Sequence, residues 1–296
     1  MDDAKTRMGG IALTICAFIL FAGLDSCAKY LGASLPVGQV VFLRYGLAVL
    51  YAVFYVWFSS GPRAFRTSKP KLQIIRGLLL VVSTLANFIA VRYLRLDQTS
   101  AIMFSSPLWV CALSIPMLGE TVGPRRWVAV AIGFVGILVI IRPGTENFHW
   151  AMLLSLISSV SIAFYLIISR MVAPFDTSQT SVFYASIVGA LASAPFAPMN
   201  WVPPSGYEWL LIVVMALCGG IGHHILGQAH RMAPAPVLAP FIYTQIISMT
   251  AMGYLFFGDV PDGWTFTGVA IVVISGLYLL YRESRAKAKS GKYVPR

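Results

Sequence analysis

Residues 20–32, LFAGLDSCAKYLG, place Asp25 and Lys29 four positions apart in an otherwise apolar run. On a helix that spacing puts both on one face. Arg44 follows in FLRYGLAVL (42–50). Two adjacent histidines, His223 and His224, lie in GGIGHHILGQ (219–228), where the glycines allow close backbone approach. Asn87 falls opposite His224 when the second half of the chain is laid over the first. Prolines interrupt two apolar runs in FSSPLW (104–109) and PFIYTQ (240–245), beside Ser105, Ser106, Trp109, Tyr243, Thr244 and Gln245. With Tyr165 and Tyr184 these offer aromatic walls and neutral hydrogen bonds, an inventory suited to a small polar organic solute with a flat ring. They are the candidate substrate-binding residues, with Asn87 and His224; packing is the competing role for each aromatic. Asp25, Lys29, Arg44 and His223 are the candidates for gating or coupling.

Enzyme chemistry finds no such set. Adjacent histidines point ~100° apart on a helix, and no third ligand sits at i+4, so no metal is expected. No nucleophile and base, second in-span acid or phosphate loop is present, so neither a catalytic residue nor a cofactor is expected. The four cysteines, Cys16, Cys27, Cys111 and Cys218, have no ligand or disulfide spacing.

These groups must be positioned in a medium that composition identifies. The chain has 296 residues, 58% hydrophobic and 11% charged, against roughly a quarter charged in an average soluble domain. Ten apolar runs approach or exceed the ~20 residues that cross a bilayer: 9–31, 37–58, 72–92, 98–117, 126–142, 149–169, 178–198, 207–228, 235–256 and 263–281. An all-α polytopic membrane protein with ten transmembrane helices is expected. The first run follows Lys5 and Arg7 as a signal peptide would, but no small-residue cleavage site follows, so it reads as a retained helix.

The formal net charge of +11 is a matter of topology rather than nucleic acid. With the N-terminus cytoplasmic, sixteen of the 22 Lys and Arg fall on cytoplasmic links and tail and four on the far side. Arg44 and Arg76 remain inside spans. Both termini are then expected in the cytoplasm, with residues 283–296 as a basic tail near anionic lipid. Expected partners are a small organic solute and the lipid bilayer, with no nucleic acid; a homodimer is left open.

Depth gives the charges meaning. If the first helix enters near Ile11, Asp25 lies ~21 Å up a ~30 Å core and Lys29 ~27 Å up. Arg44 lies ~12 Å below the same far surface. Lysine can snorkel to headgroups, whereas the aspartate needs a partner or a hydrated cavity. Two roles stay open for Asp25: a structural ion pair with Arg44 or Lys29, or an outer-gate or coupling carboxylate.

One nearly constant shift aligns the chain with itself. It sets PVGQVVF (36–42) on DTSQTSV (176–182), Lys29 on Arg170, Gly119 and Glu120 on Gly258 and Asp259, and GILVIIR (136–142) on GLYLLYR (276–282). Two five-helix halves, 9–142 and 149–282, are expected. Five is odd, so the halves enter from opposite sides as inverted repeats, the arrangement of secondary transporters with a midplane site.

These two repeats, with FLRYGLAVL and LGETVGPRRWVAVAIGFVGILVI (118–140), resemble the EamA-type branch of the drug/metabolite transporter superfamily. FAGLDSCAKYL, the following Pro-x-x-Gln and Arg44 resemble a subgroup with transporters for riboflavin, S-adenosylmethionine and opine-type metallophores. The resemblance implies a secondary carrier of the bacterial inner membrane working by alternating access. Riboflavin uptake is its first expectation, ahead of S-adenosylmethionine, amino acids or an opine-type metallophore, in either direction. A channel and a membrane-embedded enzyme are the remote alternatives.

Overall fold

The computed structural model describes the backbone of residues 2–61, 65–119, 123–233 and 235–289. Expected features at Arg63, at Glu120 and in tail residues 290–296 therefore lie outside the described residues. Twelve α-helices follow in chain order: α1 (Asp2–Ser34), α2 (Val37–Ser60), α3 (Pro70–Tyr93), α4 (Leu96–Met103), α5 (Ser106–Leu118), α6 (Pro124–Ile141), α7 (Ala151–Val172), α8 (Ser178–Ser193), α9 (Gly206–Met232), α10 (Ala235–Ile242), α11 (Thr244–Phe257) and α12 (Gly263–Lys289). No strand occurs among the described residues.

Local chemistry sets the helix ends. Pro70 opens α3 where an unbonded N–H would otherwise stand. Thr177 caps α8 by accepting from the Thr180 N–H at 3.2 Å. Ser205 and Glu208 form a reciprocal box at the start of α9. Gly119 and Gly258, aligned by the internal repeat, end α5 and α11 with φ of 67° and 70°. That left-handed conformation is one that glycine, lacking a Cβ, adopts without steric cost.

The two proline-bearing runs are broken helices. α4 and α5 are interrupted at Phe104 and Ser105, and α10 and α11 at Tyr243. Pro107 has no N–H for the Met103 carbonyl, which instead accepts from Ser159 Oγ at 3.4 Å. Pro240 lies inside α10, shortly before its break. Phe104 and Tyr243 are related by the internal repeat and pack together, ring centroids 5.0 Å apart.

Packing follows the same repeat. The most extensive contacts pair α1 with α9, α3 with α7, α2 with α8, and α6 with α12. Exchanging each helix for its counterpart in the other half turns α1–α9 into α7–α3, maps α2–α8 and α6–α12 onto themselves, and turns α5–α7 into α11–α1. Between α6 and α12 the approach is backbone to backbone. A Cβ on Gly136 would lie 3.0 Å from the Gly268 carbonyl, and one on Gly268 2.8 Å from the Gly136 carbonyl. Small residues at such crossings replace the hydrophobic drive that lipid removes.

Large apolar side chains cover the outside, among them Phe54 at 69% and Trp57 at 58% exposure. Seven helices among the described residues are long and apolar enough to cross a bilayer: Lys5–Ser34, Val37–Phe58, Pro70–Tyr93, Leu96–Leu118, Pro124–Ile141, Ala151–Val172 and Gly206–Met232. The other three expected runs, 178–198, 235–256 and 263–281, are also helical over most of their described residues. α8 has 16 residues before a 3-10 turn at Ala194–Phe196, the next run is interrupted at Tyr243, and the last lies within α12, Gly263–Lys289. The chain is an all-α polytopic membrane protein.

The α6–α12 crossing is directly testable. Gly268→Leu should cost ~1–3 kcal/mol by overpacking, lowering Tm in detergent by at least about 2 °C. Gly46→Ala, with nothing within 4 Å of the added Cβ, should leave Tm unchanged or raise it. Equal Tm for both variants would contradict the packing.

Candidate functional site: a polar cavity open toward the basic ends

The broken helices, α1, α3 and α7 surround a cavity of about 750 Å³, within the ~300–1,000 Å³ of small-molecule sites. Its deep end holds Asp25, Asn87 and Ser100; its mouth holds Arg126, Arg170 and His230. Those mouth residues lie at the first turn of α6 and the last turns of α7 and α9, on the side of the Lys- and Arg-rich links. Phe21, Phe88, Phe104, Tyr243 and Met249 form apolar wall between the two ends.

Asp25 is 7% exposed and accepts a hydrogen bond from Asn87 Nδ2 at 2.9 Å. Neither expected ion pair forms. Lys29 points away along α1 and meets Asp259 at 2.7 Å, so the i, i+4 spacing does not decide its partner. Arg44 instead bonds Thr84 Oγ1 at 3.3 Å and lies over the rings of Tyr45 and Phe88. The carboxylate thus lines the cavity with a neutral amide as its hydrogen-bond partner.

Beyond Asp25 the far end is closed by polar contacts. Lys29 Nζ also donates to the Leu94 carbonyl at 3.0 Å and sits over the Phe257 ring. Arg142 meets Asp262 at 2.5 Å, and Arg95 bonds Asp97 at 3.1 Å. Desolvation raises the Asp262 pKa, but hydrogen bonds from Thr265 and Arg142 outweigh it and hold the carboxyl at about 2. A depressed pKa means the pair is intact above the ordinary carboxylate range, ~4. It is lost only as pH falls toward 2, so this closure is not a proton switch between pH 8 and 5.

The expected binding residues divide. Asn87, Ser106, Tyr165, Tyr243 and Gln245 line the cavity together with Asp25, Arg44 and His223. Ser105 is fully buried against Ser159 Oγ at 2.7 Å. Trp109 packs edge-on to Phe134, centroids 4.6 Å apart. The Tyr184 hydroxyl donates to the Phe65 carbonyl at 3.3 Å, and Thr244 is not on the wall. His224 turns into a separate, narrower cleft, bonding Gln228 at 2.9 Å and meeting Tyr55 edge-on. The adjacent His223 faces both spaces and packs on Phe21 at 4.9 Å. The two histidines thus share the cleft, and only His223 also reaches the central cavity.

Arg76 lies outside the expected set of site residues. It is 5% exposed and donates to Ser169 Oγ at 2.7 Å, the Ser181 carbonyl at 2.8 Å, Gln73 Oε1 at 3.3 Å and Tyr165 Oη at 2.6 Å. Its place inside an apolar span is the available signal, since a charge at that depth needs partners.

Closure at Lys29 predicts a sided accessibility. In a cysteine-free background, Ser26→Cys should be nearly unreactive to an impermeant thiol reagent from the side opposite the N-terminus. Lys29→Ala should raise that labelling several-fold, whereas changing pH from 8 to 5 without it should not disrupt the Arg142–Asp262 closure. Equal labelling with and without Lys29 would show that this pair does not close the far end.

Comparison with known proteins agrees with this architecture. The EamA-like transporter family model matches residues 8–142 and again 149–282. An S-adenosylmethionine uptake transporter of Rickettsia felis is 29% identical over 290 residues, 98% of each chain. A riboflavin transporter of Rhizobium johnstonii is 26% identical over 296 residues, covering 98% of this chain and 96% of its own. A solved crystal structure is alike in fold, with a TM-score of 0.65 at 17% identity over 95% of this chain and 99% of its own. Two matches that together span nearly the whole sequence establish that the chain belongs to the EamA-like transporter family.

Proposed function

We propose that the protein is a secondary carrier for S-adenosylmethionine or a close zwitterionic relative, held in the central cavity and exposed to each side in turn. The observation that carries this reading is Asp25, a carboxylate on the cavity wall bonded only to the neutral Asn87 amide among the described residues. A solute bearing a cation supplies the missing counter-charge. Opposite charges ~4 Å apart attract by about 4 kcal/mol at an effective dielectric near 20, before desolvation is subtracted. Phe88, Phe104 and Tyr243 offer faces to a purine and to a sulfonium. The R. felis relative, a transporter of the same compound by name, adds support.

Ten spans in two inverted five-helix repeats, 9–142 and 149–282, give the carrier its motion. The contacts that exchange when one half is laid on the other, and the matched breaks at Phe104 and Tyr243, support this. The halves swap conformations, so the side now closed by Lys29 and Asp259 opens as the basic mouth closes. The charge asymmetry of the links supports a mouth and both termini on the cytoplasmic side of a bacterial inner membrane. A riboflavin carrier is the second reading, favoured by the neutral hydrogen-bonding groups Asn87, Gln245 and Ser106 among aromatic walls, and by the R. johnstonii relative.

Binding to purified protein separates the two. S-adenosylmethionine should bind at least ten-fold more tightly than S-adenosylhomocysteine, which lacks the sulfonium charge, a difference of about 1.4 kcal/mol. Asp25→Asn should reduce that preference to about two-fold without loss of monodisperse protein. Stabilisation by riboflavin and by neither adenosyl compound would give the second reading instead.

A further inference from the structure

A second, narrower cleft of about 80 Å³ adjoins the central cavity between α2, α3, α7, α8 and α9. Arg44, Tyr165, Leu80 and His223 line both spaces. Arg76, Tyr51 and His224 line the cleft alone. Its chemistry is opposite to that around Asp25: two guanidiniums and two imidazoles meet tyrosine hydroxyls, and no carboxylate lies among the lining residues.

The GGIGHH segment of α9 makes this cleft. A Cβ on Gly219 would lie 3.6 Å from Arg44 Nη2, and one on Gly220 3.0 Å from the Tyr51 ring. The two glycines therefore let the guanidinium and the phenol lie against the α9 backbone, and the turn that follows brings His223 to the same place. Arg44 has five N–H donors, and among the described residues its hydrogen bond to protein is the single long one to Thr84 at 3.3 Å. The other donors face the cleft and the cavity.

Arg76 behaves differently. Four of its donors are taken by Ser169, Gln73, Ser181 and Tyr165, all neutral. The nearest acid along this network is Asp176, reached through Gln73 Nε2 at 2.9 Å. Desolvation works against ionisation there, but hydrogen bonds from Thr67, Gln73 and the Ser68 N–H keep that carboxyl below its ordinary pKa. Arg76 is thus fixed in place and holds the Tyr165 hydroxyl, while Arg44 keeps donors for a ligand. Two positive charges in a low-dielectric site, neither hydrogen-bonded to a carboxylate among the described residues, favour an anion.

We propose that Arg44, backed by Arg76 and flanked by Tyr51, Tyr165 and His223, is a carboxylate-binding subsite that takes the anionic end of a solute whose body lies in the central cavity. The guanidinium fork matches a carboxylate with two parallel N–H bonds. Tyr51 and the neutral form of His223 each bring a further donor. Asp25 and Arg44 line one continuous space, so a zwitterion meets both signs at once. In assigning the carboxylate to an amino-acid end of the solute the proposal rests on the zwitterionic reading above; the anion site itself does not.

The test compares S-adenosylmethionine with its decarboxylated form on the purified full-length protein. Wild type should bind the carboxylated compound at least ten-fold more tightly, and Arg44→Gln should bring the ratio to about two or below. Should Arg44→Gln prove poorly folded, Arg44→Lys, which keeps the charge and loses the fork, should lower the ratio at least three-fold. A wild-type ratio near one, or a ratio unchanged in the folded variant, overturns the subsite. If wild type binds neither adenosyl compound, the solute reading fails and the subsite is judged on benzoate against benzamide at matched ionic strength. Saturable thermal stabilisation by benzoate that benzamide does not share, and that Arg44→Gln or Arg44→Lys weakens, supports it. Equal shifts from benzoate and benzamide overturn it.

Discussion

An ionised side chain inside ~30 Å of hydrocarbon must find a partner or water, and this constraint organises the structure. Asp25, Lys29, Arg44 and Arg76 are charged groups on helices otherwise built of apolar residues, and each is resolved differently. Lys29 reaches Asp259 at the far end. Arg76 is wrapped in neutral hydrogen bonds. Asp25 and Arg44 line a cavity, with Asn87 and Thr84 as their single hydrogen-bond partners among the described residues. Without that cavity both would be buried charges with too few hydrogen-bond partners, at a cost that Arg76 avoids by its four neutral bonds.

Broken helices provide the space. A continuous helix satisfies its own backbone and leaves only side chains to line a path, whereas a break frees carbonyls and admits irregular geometry where protein surrounds it. Phe104 and Tyr243 mark the two breaks and pack ring against ring, their planes tilted by 36°. The Tyr243 hydroxyl points at Gly276, where a Cβ would collide with it. The centre of the molecule is thus a contact between equivalent points of two related segments, a natural place for two halves to exchange positions.

Much of this was legible in the sequence, for physical reasons. Apolar run length and the shortage of charge fix the solvent, and with it the helical class. The offset that aligns the two halves of the sequence returns in the structure as matched breaks at Phe104 and Tyr243 and matched caps at Gly119 and Gly258. Side-chain direction was not legible. Ser106 and Gln245 face the cavity while Ser105, Trp109 and Thr244 do not, because one step along a helix rotates a residue by ~100° and no sequence pattern gives the zero of that rotation. Nor did spacing reveal that Lys29 bonds Asp259, far along the chain, rather than Asp25 one turn before it. Arg76 could have been found by asking of every in-span charge where its donors go.

The central claim is that one cavity serves both sides through exchange of the two halves. Its most direct test is a pair of distance distributions by double electron–electron resonance on a variant lacking Cys16, Cys27, Cys111 and Cys218. Labels at Tyr30 and Val260 report the far end, and labels at Arg125 and Arg231 report the basic end. On adding transported solute in lipid nanodiscs, the account predicts opposite shifts: the far-end distance lengthens in the same fraction of molecules in which the basic-end distance shortens. Distances that do not change, or that lengthen at both ends together, would contradict it.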